Sequence, residues 1–228
     1  MAAARPPAIL CIGKNYADHA AELAESGAVK LPERPVLFLK NPASVIGDGE
    51  AIELPPVVNT DDREPQMGVD YEGELAVILG CDARDVPESA ARDVIAALAC
   101  ANDVSQRWWQ WHGSGGQWCR GKSFDSFCPL GEPTPISAIA DPQNLVLTTR
   151  LNGEVVQQAN TATMIFSVAR LIADLSQGTT LLAGSVILTG TPAGVGAGRK
   201  PPRFLRDGDQ VEVEISGVGR LSNPVRQR

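Results

Sequence analysis

The sequence predicts an α+β protein built around a curved, mostly antiparallel sheet. Three observations carry that prediction. Strand-like apolar runs recur at unequal spacing with only a few helical stretches among them. The regular strand–helix alternation of a doubly wound sheet is absent. The 228 residues include 22 glycines and 17 prolines, above average usage but below the level of low-complexity chains, so turns are frequent. At ~150 residues per domain the length fits one elaborated domain. With 43% hydrophobic and 21% charged residues, the balance is that of a globular protein.

The elements follow in order. Ile9–Gly13 is a short apolar strand, and Tyr16–Ser26 has helical composition with Gly27 as its stop. Pro35–Leu39 and Ala51–Leu54 read as strands, and the polar stretch 59–68 as an exposed loop. Tyr71–Leu79 is a strong strand candidate. Pro87–Leu98 reads as a helix, since Pro suits a first turn and acids follow it. Ser105–His112 is also expected to be helical. Leu145–Gln157 is a hairpin turning at Asn152-Gly153, because that dipeptide accepts the positive φ of a tight turn. Thr163–Gln177 is an amphipathic helix stopped by Gly178. Val186–Thr189 is a buried strand, and Val211–Ile215 alternates as a half-buried one after an Asp207-Gly208 turn.

Composition removes several function classes. Net charge is −7, with no basic cluster to offset nucleic-acid phosphates. The two histidines, His19 and His112, are too few for a His-rich zinc site, so a metal here would sit on oxygens. Five cysteines with no C-x-x-C pair argue against a disulfide framework and fit a reducing, cytoplasmic setting. No apolar run approaches the ~18–20 residues of a membrane span, and the N-terminal apolar stretch, broken by Lys14, is too short for a signal peptide.

Three groups of residues carry chemistry. In Asp70-Tyr71-Glu72-Gly73-Glu74, Glu72 and Glu74 lie two apart in a strand and share a face. They are either solvated acids on an exposed strand or paired ligands for a hard divalent cation. Asp103, in Asn102-Asp103-Val104-Ser105, is either a helix cap or the third carboxylate of that set. His19 and Glu22 stand three apart on one helix face. They are either surface residues or a general base with the carboxylate that orients it.

Gly116–Ser123 matches the G-x-x-x-x-G-K-[ST] phosphate loop, but tryptophans precede it and an aromatic, Pro-terminated stretch follows it, so nucleotide binding is not expected. Gly194–Gly198 opens no helix, because Pro201-Pro202 follows closely. All four tryptophans fall between Trp108 and Trp118. They read as a packed core or dimer interface, with a substrate-pocket wall as the alternative.

Taken in order, Gly13-Lys14-Asn15-Tyr16 with His19 and Glu22, Asp70–Ala76, Asn102–Ser105, Gly121–Gly131, Asn152–Thr161 and Thr189–Gly196 resemble the motifs of the fumarylacetoacetate hydrolase family. The likeness is to its short acylpyruvate hydrolase-like members and covers nearly the whole chain. It implies a mixed β-sandwich roll with peripheral helices, forming one catalytic domain over residues 1–228 with 1–8 as an N-terminal extension. It implies metal ligands at Glu72, Glu74 and Asp103, and Mg²⁺ or Mn²⁺ as the cofactor, with Ca²⁺ as a substitute. It implies catalytic roles for His19, Glu22 and Lys122, and substrate contacts at Arg107, Gln110 and Thr191. The implied activity is hydrolysis of a C–C bond in acylpyruvates such as fumarylpyruvate. The alternative is decarboxylation of oxaloacetate, or isomerisation or hydration of unsaturated 2-oxo diacids in aromatic catabolism. The implied partner is a small 2-oxo acid, and the implied assembly a homodimer. The chain departs from the family pattern at Gln106-Arg107-Trp108, where relatives often carry Ala-Arg-Asp, and at Gly184-Ser185, where Gly-Asp is frequent.

Overall fold

The computed structural model describes residues 5–22, 31–56 and 67–228. Its strands in chain order are β1 (Ile9–Gly13), β2 (Val36–Lys40), β3 (Val45–Ile46), β4 (Ile52–Leu54), β5 (Val69–Asp70), β6 (Gly73–Leu79), β7 (Ile95–Asn102) and β8 (Ser105–Gln106). After these come β9 (Cys128–Pro129), β10 (Thr134–Pro135), β11 (Val146–Leu151), β12 (Glu154–Asn160), β13 (Val186–Leu188), β14 (Gln210–Ile215) and β15 (Gly219–Gln227). The α-helices are α1 (Ala17–Glu22), α2 (Trp118–Lys122) and α3 (Val168–Ser176).

Two sheets dominate. A six-stranded sheet runs β10-β7-β6-β13-β1-β2, and a five-stranded sheet runs β12-β11-β14-β15-β4. Pairing is antiparallel except for β1 with β13, β15 with β4, and β3 with β9. The expected α+β class with a mostly antiparallel framework is what the chain forms. The main core joins Leu75, Val77 and Leu79 of β6 to Leu147 of β11, Val213 and Ile215 of β14, and Leu171 and Ile172 of α3. The opposite face of the six-stranded sheet is also buried, under Ile9, Cys11, Phe38, Ala76, Ala99 and Ala101. That sheet therefore has no water-facing side at its centre.

This double burial explains the largest departure from the sequence reading. Pro87–Leu98 is not one helix: Pro87 caps a run of 3-10 turns over Glu88–Val94, and the chain then enters β7. The Ala-rich run of β7 favours a helix by propensity. Pairing with β6 and β10, and the need for small side chains against packed faces, override it. Ser105–His112 splits in the same way, into β8 and a helical turn that widens to π geometry at Trp109–Gly113. α3 begins later than expected because Ser167 caps it, accepting a hydrogen bond from Arg170 N. The Asn152-Gly153 turn is present, with φ of 53° and 83°. The distal part of the Tyr16–Ser26 helix and residues 59–66 of the expected loop lie outside the described residues. Among the described residues no helix is long and apolar enough to cross a membrane.

Candidate active site and metal centre

β6 and β7 pair so that Gly73 faces Asn102 and Glu74 faces Ala101. Glu72 lies one residue before β6 and Asp103 one residue after β7. Asp103 N donates to Glu72 O at 2.8 Å, and Glu72 N donates to Asn102 Oδ1 at 2.9 Å. The pairing thus delivers three carboxylates to one spot: Glu72, Glu74 and Asp103 are buried and offer oxygens within 4.8 Å of one another. Gly73 between the acids is required by packing, since a Cβ there would run into the Thr149 hydroxyl on β11.

Cationic side chains surround the cluster unevenly. Lys122 Nζ donates to Glu72 Oε2 at 2.8 Å and to Asp103 Oδ2 at 2.6 Å. Lys40 Nζ donates to Asp103 Oδ1 at 2.6 Å and to Val104 O at 3.1 Å. Arg107 places Nη1 2.7 Å from Glu72 Oε1 and 2.9 Å from Gln110 Oε1. Its Nε and Nη2 reach Asp70 Oδ2 at 3.0 and 2.8 Å. Asp70 also accepts from Gly196 N at 2.7 Å and Ala197 N at 2.9 Å, tying the glycine loop to this wall.

The two glutamates respond in opposite directions. Burial works to raise the Glu72 pKa, but Lys122 and Arg107 outweigh it and hold the group at about 2. Burial pushes Glu74 well above the usual carboxylate range, and Asp103 and Glu72 add to the push. Glu74 accepts from Gly190 N at 2.7 Å, and among the described residues no cationic side chain forms an ion pair with it. A buried like-charge set with one member short of a counter-charge fits a hard divalent cation on oxygen donors. Burial lowers the Lys122 pKa, but Asp103 and Glu72 more than reverse this, so the side chain stays an ammonium. The apparent phosphate-loop lysine is therefore committed to carboxylates.

A cavity of about 610 Å³ opens onto the cluster. Glu72, Arg107, Gln110, Lys122 and Thr191 form one part of its wall, and His19, Glu22 and Lys14 another. His19 Nδ1 lies 3.4 Å from Glu22 Oε2. The Glu22 carboxylate accepts from Gly194 N at 3.0 and 3.1 Å, so the glycine loop holds it in place. The Thr191 hydroxyl donates to Gly73 O at 2.9 Å and accepts from Gln157 Nε2 at 2.7 Å. It braces the loop against β6, which leaves no hydroxyl proton for a ligand. Trp111 and Trp118 line the cavity, the less favoured of the two readings of the tryptophan cluster. Trp118 packs edge-on against Phe38 at 5.4 Å between ring centroids.

The nine residues to which the resemblance gives site roles thus converge on one cavity or on the cluster behind it. Lys40, Asp70 and Gln157 were not singled out. Asp70 had a readable signal, since it continues the period-two series of acids at 70, 72 and 74. Lys40 had none, because β2 is a run of apolar residues without alternation, and only the sheet shows that Lys40 points inward.

Fold and site define a class: an α+β enzyme fold with three buried carboxylates that could hold a cation, beside a His–Glu pair. The profile of the fumarylacetoacetate (FAA) hydrolase C-terminal domain matches residues 8–226. The chain belongs to the fumarylacetoacetate hydrolase family. It is 43% identical over 223 residues to the mitochondrial oxaloacetate tautomerase FAHD2A of Homo sapiens, covering 97% of this chain and 67% of that protein. The chain thus spans about two thirds of the length of that relative. A 5-carboxymethyl-2-hydroxymuconate delta-isomerase from Mycobacterium smegmatis superposes with a TM-score of 0.81 at 38% identity, covering 98% of this chain and 80% of the other. A fumarylacetoacetate hydrolase from Exiguobacterium antarcticum superposes with a TM-score of 0.82 at 41% identity, covering 100% and 78%.

Proposed function

We propose that this protein interconverts tautomers or double-bond isomers of 2-oxo diacids, using Mg²⁺ or Mn²⁺. The observation that carries the reading is the 43% identity, across 97% of the chain, to a protein named oxaloacetate tautomerase. A divalent cation held by Glu72, Glu74 and Asp103 would supply the positive charge that favours an enolate over its keto form. His19 moves the proton. With Nδ1 turned to Glu22, Nε2 is the nitrogen left to take a proton from the carbon beside the ketone. The same proton returns to the oxygen or to a conjugated carbon. Glu22, fixed by Gly194 N, orients the ring through both steps. Lys122 adds a fixed positive charge beside Glu72, close to where oxygen charge builds. Gln110, set in place by the bond from Arg107 Nη1, holds the acid end of the substrate against that wall.

A second reading is supported by the likeness to the Exiguobacterium hydrolase. In it His19 takes its proton from water, which attacks the acyl carbonyl of an acylpyruvate. The C–C bond breaks, and pyruvate and a carboxylic acid leave. One panel separates the two. Oxaloacetate is followed by its enol absorbance, an unsaturated 2-oxo diacid by its shift in absorbance, and acylpyruvates by pyruvate release, each with and without EDTA. Faster diacid interconversion that EDTA abolishes and Mg²⁺ restores is the expected result. Dominant pyruvate release from acylpyruvates moves the assignment to hydrolysis, and no turnover of any substrate rejects both. The proposal includes a homodimer, supported by Leu37 and Leu39 on the edge strand β2, which are 49% and 50% exposed. A monomer in light scattering at micromolar concentration rejects that assembly.

A further inference from the structure

Lys14 is unusual in three independent respects. Its backbone is left-handed, with φ of 58°, a conformation that glycine or asparagine adopts more readily. Its neighbours hold that conformation rigidly. Gly13 pairs with Val36 at the end of β1. The fully buried Asn15 side chain donates to Thr189 O at 2.7 Å and Phe166 O at 3.1 Å, and accepts from Phe166 N at 2.8 Å. Lys14 also lines the cavity while making no hydrogen bond or ion pair among the described residues. The other cations close to the carboxylate cluster are committed: Lys122 and Lys40 to Asp103, and Arg107 to Asp70 and Glu72. A strained position that would suit glycine thus places at the cavity wall a lysine that is uncommitted among the described residues.

The cluster behind the cavity holds four carboxylates, Asp70, Glu72, Glu74 and Asp103, against three cations, Lys40, Arg107 and Lys122. A divalent cation leaves it one positive charge in excess, enough to balance one carboxylate of a substrate and not two. We propose that Lys14 binds the second, distal carboxylate and thereby sets a preference for 2-oxo diacids over 2-oxo monoacids. This rests on the proposed function for its substrate class, and it adds the residue that reads the far end of the substrate.

The test compares ligands with and without a charged distal carboxylate. Lys14→Asn removes the charge at a residue type that tolerates the left-handed backbone, Lys14→Met removes it with a similar chain length, and Lys14→Arg retains it. With oxaloacetate, both neutral variants should raise KM about tenfold, the loss expected for a hydrogen bond to a charged group, while kcat changes little. With the 4-ethyl ester of oxaloacetate, KM should not move, and Lys14→Arg should restore the diacid preference. Calorimetry on the Mg²⁺-loaded protein gives a readout without turnover. 2-Oxoglutarate binding should weaken about tenfold in Lys14→Asn, and pyruvate binding should not. Equal losses for both members of a pair, or none, overturn the role of Lys14. If wild type binds 2-oxoglutarate more tightly than pyruvate yet turns over no diacid, the functional reading fails while the assignment of Lys14 stands.

Discussion

The two halves of the cavity are held by different means. The carboxylate half sits where β6 meets β7, and its acids are fixed by short bonds from Lys40, Lys122 and Arg107. The His19 half rests on α1, described over Ala17–Glu22, and the His19–Glu22 contact is 3.4 Å long. The first region is rigid because charges buried without water must be matched at close range. In the proposed reaction the second moves a proton, and His19 meets there the Glu22 carboxylate that Gly194 N holds. The carboxylates are built into the sheet, and the proposed base is carried on a helix that lines the cavity.

The largest expected effect comes from breaking the rigid half. Asp103→Ala leaves Lys40 and Lys122 buried without their shared partner, at a cost of ~3–5 kcal/mol. Denaturant unfolding should show that loss, and calorimetry should show Mg²⁺ affinity gone. A variant of wild-type stability would mean that Asp103 is not the keystone of this cluster. The opposite half should fail in activity alone. His19→Ala should lower kcat by ~10²–10⁴ with Mg²⁺ binding and melting temperature nearly unchanged, and full activity would remove His19 from the reaction.

A smaller change sharpens the contrast. A Cβ at Gly198 would overlap the Glu22 carboxylate, which can swing aside. Gly198→Ala should therefore displace Glu22 and lower kcat by roughly 10- to 100-fold with little loss of stability. Equal losses in Gly198→Ala and Glu22→Gln would identify orientation by Glu22 as the shared cause.

The smallest effect comes from a carboxylate outside both halves. Burial works to raise the Asp209 pKa, but bonds from Arg203, Asn152 and Arg206 N outweigh it and hold the group below its usual value. The ionised form is therefore the stabilising one. Its contribution, about 1 kcal/mol for a partly exposed pair, is complete above ~pH 4 and fades as pH falls through the lowered value. Wild type and Asp209→Asn should differ in melting temperature at neutral pH and converge in acid. A gap that persists in acid would assign the effect to packing.

Much of the site was legible because its spacing is local. Glu72 and Glu74 share a strand face, His19 and Glu22 share a helix turn, and Arg107 and Gln110 are three apart on a helical turn where one bonds the other. Lys40 and Gln157 were not legible, because each meets its partner only through the tertiary fold, more than sixty residues away in the chain. β7 was misread for a related reason: alanine favours a helix locally, and only burial on both faces makes it a good strand residue here.

The sequence by itself determined the α+β class, the Asn152-Gly153 hairpin, the family, and the residues able to supply oxygens and a base. Those depend on period and residue type, which act over a few positions. The tertiary structure alone decided that, among the described residues, Glu74 is the acid left without a counter-charge, Thr191 spends its hydroxyl on Gly73, and Lys14 lines the cavity unpaired. Each of these depends on which distant groups share a low-dielectric space, and Coulomb and desolvation energies are set by distance through space, not by separation along the chain.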